Sequence, residues 1–210
     1  FTTQKDFVSP MEGNELADFR KKMLCLPAFP KEVSSYDLVV VGGGIAGMCA
    51  AVTAARMGCK VALVNDRPVL GGNNSAEVRV HLGGYSEIGP NEGLGRMLRE
   101  FGHSKKGNAQ PAEYYEDDKK QNFIEAEKNV TLYANYRAVS VQMNGTKISS
   151  VVIKHIETGE EICLKAALFS DCTGDGTIGY LAGADFRMGR ESRSEFGESL
   201  APEKADSLTM

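Results

Sequence analysis

Gly42, Gly44 and Gly47 stand at the spacing G-x-G-x-x-G, directly after the apolar run of residues 38–41. Glycines so placed can bring bare backbone against a pyrophosphate. The first permits a tight turn, the second close approach, and the third close packing of helix on strand. A second group has a different chemistry. Glu77, Arg79 and His81 are spaced two apart, so in a strand over residues 76–82 all three side chains leave one face. Such a row offers a cation for developing negative charge and an imidazole able to move a proton. The alternative for the same row is the exposed polar face of an edge strand.

The elements that must position the glycines are legible around them. Residues 38–41 form the short apolar run of a strand covered on both faces. Ile45, Ala46, Gly47 and Ala51 open a small-residue helix, whose free N–H groups and partial positive charge suit phosphate. Gly58 sits where a helix C′ glycine belongs, and Val61 and Leu63 alternate in the next strand. That strand ends at Asn65, where such units usually carry an acid for the ribose hydroxyls. Asn65 can accept through its amide oxygen, and Asp66 points to the other face if the strand continues. Loss of the carboxylate also removes repulsion against a 2′-phosphate, with Arg67 nearby, which leaves NADP open on these residues alone.

Residues 67–75 run Arg67-Pro68-Val69-Leu70-Gly71-Gly72-Asn73-Asn74-Ser75. Together with Gly42-Gly43-Gly44-Ile45-Ala46-Gly47, this resembles the FAD-dependent oxidoreductases of the glutathione-reductase-like flavoprotein superfamily, most of all the bacterial family usually called simply FAD-dependent oxidoreductases. A further block, Asp171-Cys172-Thr173-Gly174-Asp175-Gly176 followed by Leu181-Ala182-Gly183-Ala184, resembles the segment that returns to the nucleotide fold, with Cys172 where alanine is usual. The likeness covers residues 36–186. It implies an α/β, Rossmann-like FAD-binding fold: a parallel sheet with a three-stranded β-meander as crossover. It also implies FAD as cofactor, held at Gly42–Gly47, residues 71–75 and residues 173–175, with backbone around Ala138 at the adenine. Gly71 and Gly72 would admit a second stretch of close backbone, and Asn73, Asn74 and Ser75 would bond phosphate, ribityl or flavin atoms. Arg79 and His81 would then stand near the flavin, as catalytic candidates.

Composition narrows the rest. With 24 basic and 28 acidic residues in 210 the net charge is −4, and no basic stripe with interleaved aromatics suggests nucleic acid. No apolar run approaches the roughly 20 residues of a membrane span. Cys25, Cys49, Cys59, Cys163 and Cys172 are scattered and never form a C-x-x-C pair, so neither a disulfide framework nor a metal site is expected. Cys49 and Cys172 read as small buried hydrophobes. The redox-active cysteine pair of glutathione-reductase enzymes has no counterpart near Gly71 and Gly72. The chain opens on Phe1 rather than methionine. The natural start is expected upstream, which leaves the address open between cytoplasm and periplasm.

Three regions are expected. Residues 1–35 form an extension with a helix over 15–24 and a linker at Pro27 and Pro30. Residues 36–186 form the FAD-binding domain, and 187–210 a polar segment leading into a substrate domain that is missing here. Within the domain, helices are expected over 92–101 and 114–128, with a polar, mobile loop at 105–110. Strands over 131–142, 147–156 and 161–170 make the meander, the first hairpin turning at Asn144-Gly145. The reading is a flavin-dependent oxidoreductase taking a hydride from a small organic substrate. The alternatives are a non-catalytic nucleotide-binding module and an NAD(P)-dependent dehydrogenase. Substrate, electron acceptor and oligomeric state are not legible.

Overall fold

A computed structural model describes residues 13–84, 90, 93, 95–102 and 104–208. The first element is helix α1 (Gly13–Met23), as its composition predicts. Strand β1 (Lys31–Val41) starts well before the apolar run, with a register shift between Val33 and Tyr36. The glycine turn then leads into α2 (Ile45–Arg56) and β2 (Val61–Asn65). Downstream come α3 (Arg96–Phe101), a single 3-10 turn at Ala112–Tyr114, and α4 (Asp117–Glu125). The strands β3 (Val130–Ala134), β4 (Tyr136–Asn144), β5 (Lys147–His155) and β6 (Glu161–Asp171) follow, then short helices α5 (Thr177–Leu181) and α6 (Arg193–Phe196).

One six-stranded sheet runs in the order β3-β2-β1-β6-β5-β4. β3, β2, β1 and β6 are parallel, and β5 and β4 continue it antiparallel. This is the α/β Rossmann-like architecture with a β-meander, and β6 closes it by serving both parts at once.

Period-two alternation explains how a wholly apolar strand is used. Val39, Val41, Ala62 and Val64 pack on one face with Ile153 and Leu164 of the meander. Val40, Val61 and Leu63 pack on the other against Met48, Ala51 and Val52 of α2. Val39, Val40 and Leu63 are fully buried, each worth about 2 kcal/mol on area grounds. Helix α2 ends as Gly58 predicts: Gly58 (φ +94°) donates to the Ala55 carbonyl and Cys59 to that of Ala54, both at 3.0 Å. That pair of bonds is the Schellman motif, with glycine at its left-handed position.

Four local expectations change. Residues 76–82 form no strand: residues 76–78 are a turn, and Arg79 has φ +64°. The backbone groups that a sheet partner would take are spent locally. The Val80 amide donates to the Asn73 carbonyl, the Arg79 amide to that of Ser75, and the Asn74 side chain to that of Val80. Second, the strand expected over 131–142 divides at Asn135 (φ +62°), so that β3 joins the parallel sheet and β4 alone opens the meander. Third, the helix expected over 114–128 starts only at Asp117, after Glu116 with φ +46°. Fourth, the hairpin loop is Gly145-Thr146, since Asn144 pairs with Lys147. Of the helix expected over 92–101, residues 96–101 are helical, and residues 92 and 94 lie outside the described residues.

Candidate functional site

The glycine turn is shaped by what each glycine touches. Gly42 has φ +110°, and a Cβ there would meet the Cys172 carbonyl oxygen at 2.1 Å. A Cβ on Gly47 would lie 1.8 Å from the Gly42 carbonyl oxygen, so helix and turn could not close. A Cβ on Gly43 would strike the Asn65 side chain at 2.6 Å. Gly44 differs from all three. It has ordinary extended angles (φ −69°, ψ 179°), and its Cβ would meet only the Gly72 Cα, at 4.0 Å. Neither backbone nor packing requires glycine at 44. Glycine there leaves room for something else.

That room is a cavity of about 710 Å³, within the range of cofactor sites. Its wall includes Gly42, Gly43, Gly44, Ile45 and Ala46, where α2 begins with neither a side-chain cap nor an acid in its first turn. It continues past Asn65, Asp66 and Arg67, then Gly71, Gly72, Asn73 and Asn74, and reaches Ala138 and residues 173–175. Glu77 and His81 line it as well. Gly47, Ser75 and Arg79 are not part of the wall. Gly47 holds helix to turn, and the Ser75 hydroxyl donates to the Gly72 carbonyl at 2.7 Å, shaping the loop from beneath. The Arg79 guanidinium bends back to the Ala76 carbonyl at 2.9 Å. The row of Glu77, Arg79 and His81 is therefore not one face, because no strand exists to align it.

Asn65 takes an unexpected part. It is buried, and its Nδ2 donates to the Arg67 and Val69 carbonyls, each at 2.9 Å. Both amide protons are consumed in closing the loop after β2, which a carboxylate could not do. Only Oδ1 remains, beside Gly43. Asn74 is similar: Nδ2 donates to the Val80 carbonyl at 2.8 Å, and the buried Oδ1 has no hydrogen-bond partner among the described residues. An unsatisfied buried acceptor costs about 1–3 kcal/mol, so this oxygen suits a ligand hydroxyl or N–H.

Asp171 organises the third segment. Its carboxylate accepts from the Thr173 hydroxyl and amide (2.7 and 3.1 Å) and from the Ile178 and Gly179 amides (2.7 and 3.1 Å). Burial pushes its carboxyl up, but those bonds outweigh burial and hold it below the usual value. The turn of residues 173–175 is thus set against the cavity.

Sequence reasoning missed Tyr136, Arg137 and Cys172, which also line the cavity. Cys172 belongs to the returning block and, expected to be buried, is half-buried. Cys49 is half-buried in α2, and burial raises its thiol. Among the described residues, no group of side chains could hold a metal, and no helix is long and apolar enough to cross a membrane.

A glycine cradle, an uncapped helix start and an orphaned acceptor in one long cavity fit a dinucleotide. Comparison with known proteins agrees. A segment of 41 residues is 56% identical to the soluble pyridine nucleotide transhydrogenases of Ectopseudomonas mendocina and Azotobacter vinelandii, covering 20% of this chain. The match spans only 9% of the length of those relatives. The solved structure of THI4 from Thermovibrio ammonificans superposes with a TM-score of 0.53 and 19% identity, over 93% of this chain and 81% of that one, a likeness of fold. The family model described as FAD dependent oxidoreductase matches residues 37–209. The chain belongs to the FAD-dependent oxidoreductase family, and its cofactor is FAD.

Proposed function

We propose that residues 36–186 form the FAD-binding unit of an oxidoreductase that takes a hydride from a small organic substrate. Residues 1–35 lead into the unit, the last five of them already in β1 of its sheet, and 187–210 lead out of it. The observation that carries the reading is Gly44, a glycine that the protein's own packing does not need. FAD, when bound, supplies the two-electron redox chemistry.

The roles fall to named residues. Backbone N–H groups at Gly44, Ile45 and Ala46 face the pyrophosphate, where the start of α2 adds its partial positive charge. Oδ1 of Asn65 accepts from an adenosine ribose hydroxyl, with Asp66 and Arg67 at the rim. Backbone near Ala138 borders the adenine. Oδ1 of Asn74 accepts from a ribityl hydroxyl or a ring N–H, and Asn73 with the Gly71-Gly72 backbone lies alongside. Residues Thr173, Gly174 and Asp175 close the opposite wall. His81 moves a proton at the substrate end. Arg79 acts by shaping the backbone that carries His81, since its guanidinium is turned away.

Anaerobic mixing of the purified full-length protein with panels of polyols, sugars, hydroxy acids and amines tests this. The flavin absorption should be present and should bleach with one substrate class. A flavin-free protein, or a flavin that no organic reductant bleaches, would contradict the reading.

A further inference from the structure

The His81 ring is held by an interaction that defines its protonation pattern. Oδ1 of Asn108 lies 3.0 Å from the His81 backbone nitrogen and 2.7 Å from its ring Nδ1. A backbone N–H can only donate, so the Asn108 atom facing it must be the amide oxygen. An oxygen without a proton can only accept, so Nδ1 must carry the hydrogen in the second bond. In the neutral ring this leaves Nε2 as a bare lone pair. Among the described residues Nε2 has no hydrogen-bond partner, and a Cβ on Gly83 would come within 3.5 Å of it. His81 and Gly83 both line the cavity.

The segment that brings Asn108 here is built for the purpose. The Arg79 carbonyl accepts from the Tyr115 hydroxyl at 2.6 Å and from the Ala109 amide at 2.9 Å. Tyr115 is fully buried, and the Gly107 carbonyl oxygen lies 3.1 Å from the same hydroxyl, beside the Arg79 carbonyl that takes its one proton. The polar loop of residues 105–110 is therefore docked onto residues 79–81. Arg79 (φ +64°), Ala109 (φ +52°) and Glu116 (φ +46°) all adopt left-handed angles here. Such conformations cost free energy in residues other than glycine, and they persist where surrounding contacts impose them.

We propose that Asn108 is a positioning residue that locks His81 as its Nδ1–H tautomer and leaves Nε2 as a proton acceptor at the substrate end of the cavity. The proposal rests on the oxidoreductase reading and narrows its substrate class. A bare Nε2 serves substrates that shed an O–H or N–H proton as their C–H hydride passes to FAD, so alcohols or amines are expected. The proton goes to Nε2, the hydride to FAD, and the substrate becomes a carbonyl or imine.

The test is 15N NMR of the histidine side chains in the full-length protein, at mildly alkaline pH where imidazole is neutral. The His81 signals are those lost in His81→Gln. In the parent, Nδ1 should resonate as a protonated and Nε2 as a bare ring nitrogen. Asn108→Ala should shift His81 toward the Nε2–H tautomer with FAD content unchanged, and Asn108→Asp, which keeps an acceptor oxygen, should restore the parent pattern. An Nε2–H tautomer in the parent, or no change in Asn108→Ala, overturns the proposal. FAD content of the same samples reports separately: a flavin-free parent with an Nδ1–H ring overturns the cofactor reading and leaves the lock standing.

Discussion

The backbone N–H of Gly71 donates to the carbonyl of Gly43 at 2.9 Å, so the two glycine loops are bonded directly to one another. A parallel bridge between Gly44 and Gly71 extends the contact. The loop after β2 thereby becomes a second wall opposite the start of α2. Glycine at 43, 44, 71 and 72 leaves bare backbone for a ligand on both walls.

Gly47 and Gly44 should fail differently. Gly47→Ala places a Cβ against the Gly42 carbonyl and should cost at least about 2 kcal/mol of stability, as overpacking does. Gly44→Ala makes only an ordinary contact with the Gly72 Cα and should leave apo-protein stability nearly unchanged. Urea denaturation of flavin-stripped samples measures both, and equal losses would show that the two glycines share one structural role.

Asn65 should resist replacement by the acid usual at its position. Asn65→Ala loses two hydrogen bonds to carbonyls, about 2 kcal/mol in all. Asn65→Asp should cost more at neutral pH, because a carboxylate would face the Arg67 and Val69 carbonyl oxygens. Thermal denaturation ranks the three proteins, and an Asp variant as stable as the parent refutes the assignment.

Much of this is legible in the amino-acid sequence, and the remainder has physical reasons for being hidden. Residues 38–65 announced themselves because apolar runs, the glycine spacing and Gly58 all agree on one local structure. Residues 76–82 misled because Glu77, Arg79 and His81 alternate as a strand does, while the Asn74 amide and the Ser75 carbonyl bind the same backbone locally. The break at Asn135 left no apolar gap to see. Lys120 was hidden too: it is fully buried, bonds the Tyr115 carbonyl and Asp117, and runs its stem beneath Gly71. A lysine on a polar helix gives no sign of that in sequence. The contact of Asn108 with His81 spans 27 residues, beyond any local pattern.

Asp171 should give the fold an acid-sensitive corner. Its carboxyl is held below the ordinary 3.8, so the stability it adds is fully present above that value. That contribution is lost as pH falls through the lower folded-state value. Asp171→Asn should be less stable than the parent at neutral pH, and the difference should shrink in acid. Denaturation followed from pH 7 downward checks it; a gap that stays constant with pH would mean the carboxylate is not the source.

The most direct measurement is the FAD content of the full-length parent and of Gly44→Val, purified side by side and read by flavin absorption. The parent should carry FAD, and the variant should fold with the parent's apo-protein stability yet retain almost none, because its side chain fills the space that Gly44 leaves beside Gly72. Equal FAD in both proteins would contradict the placement of the cofactor at this turn.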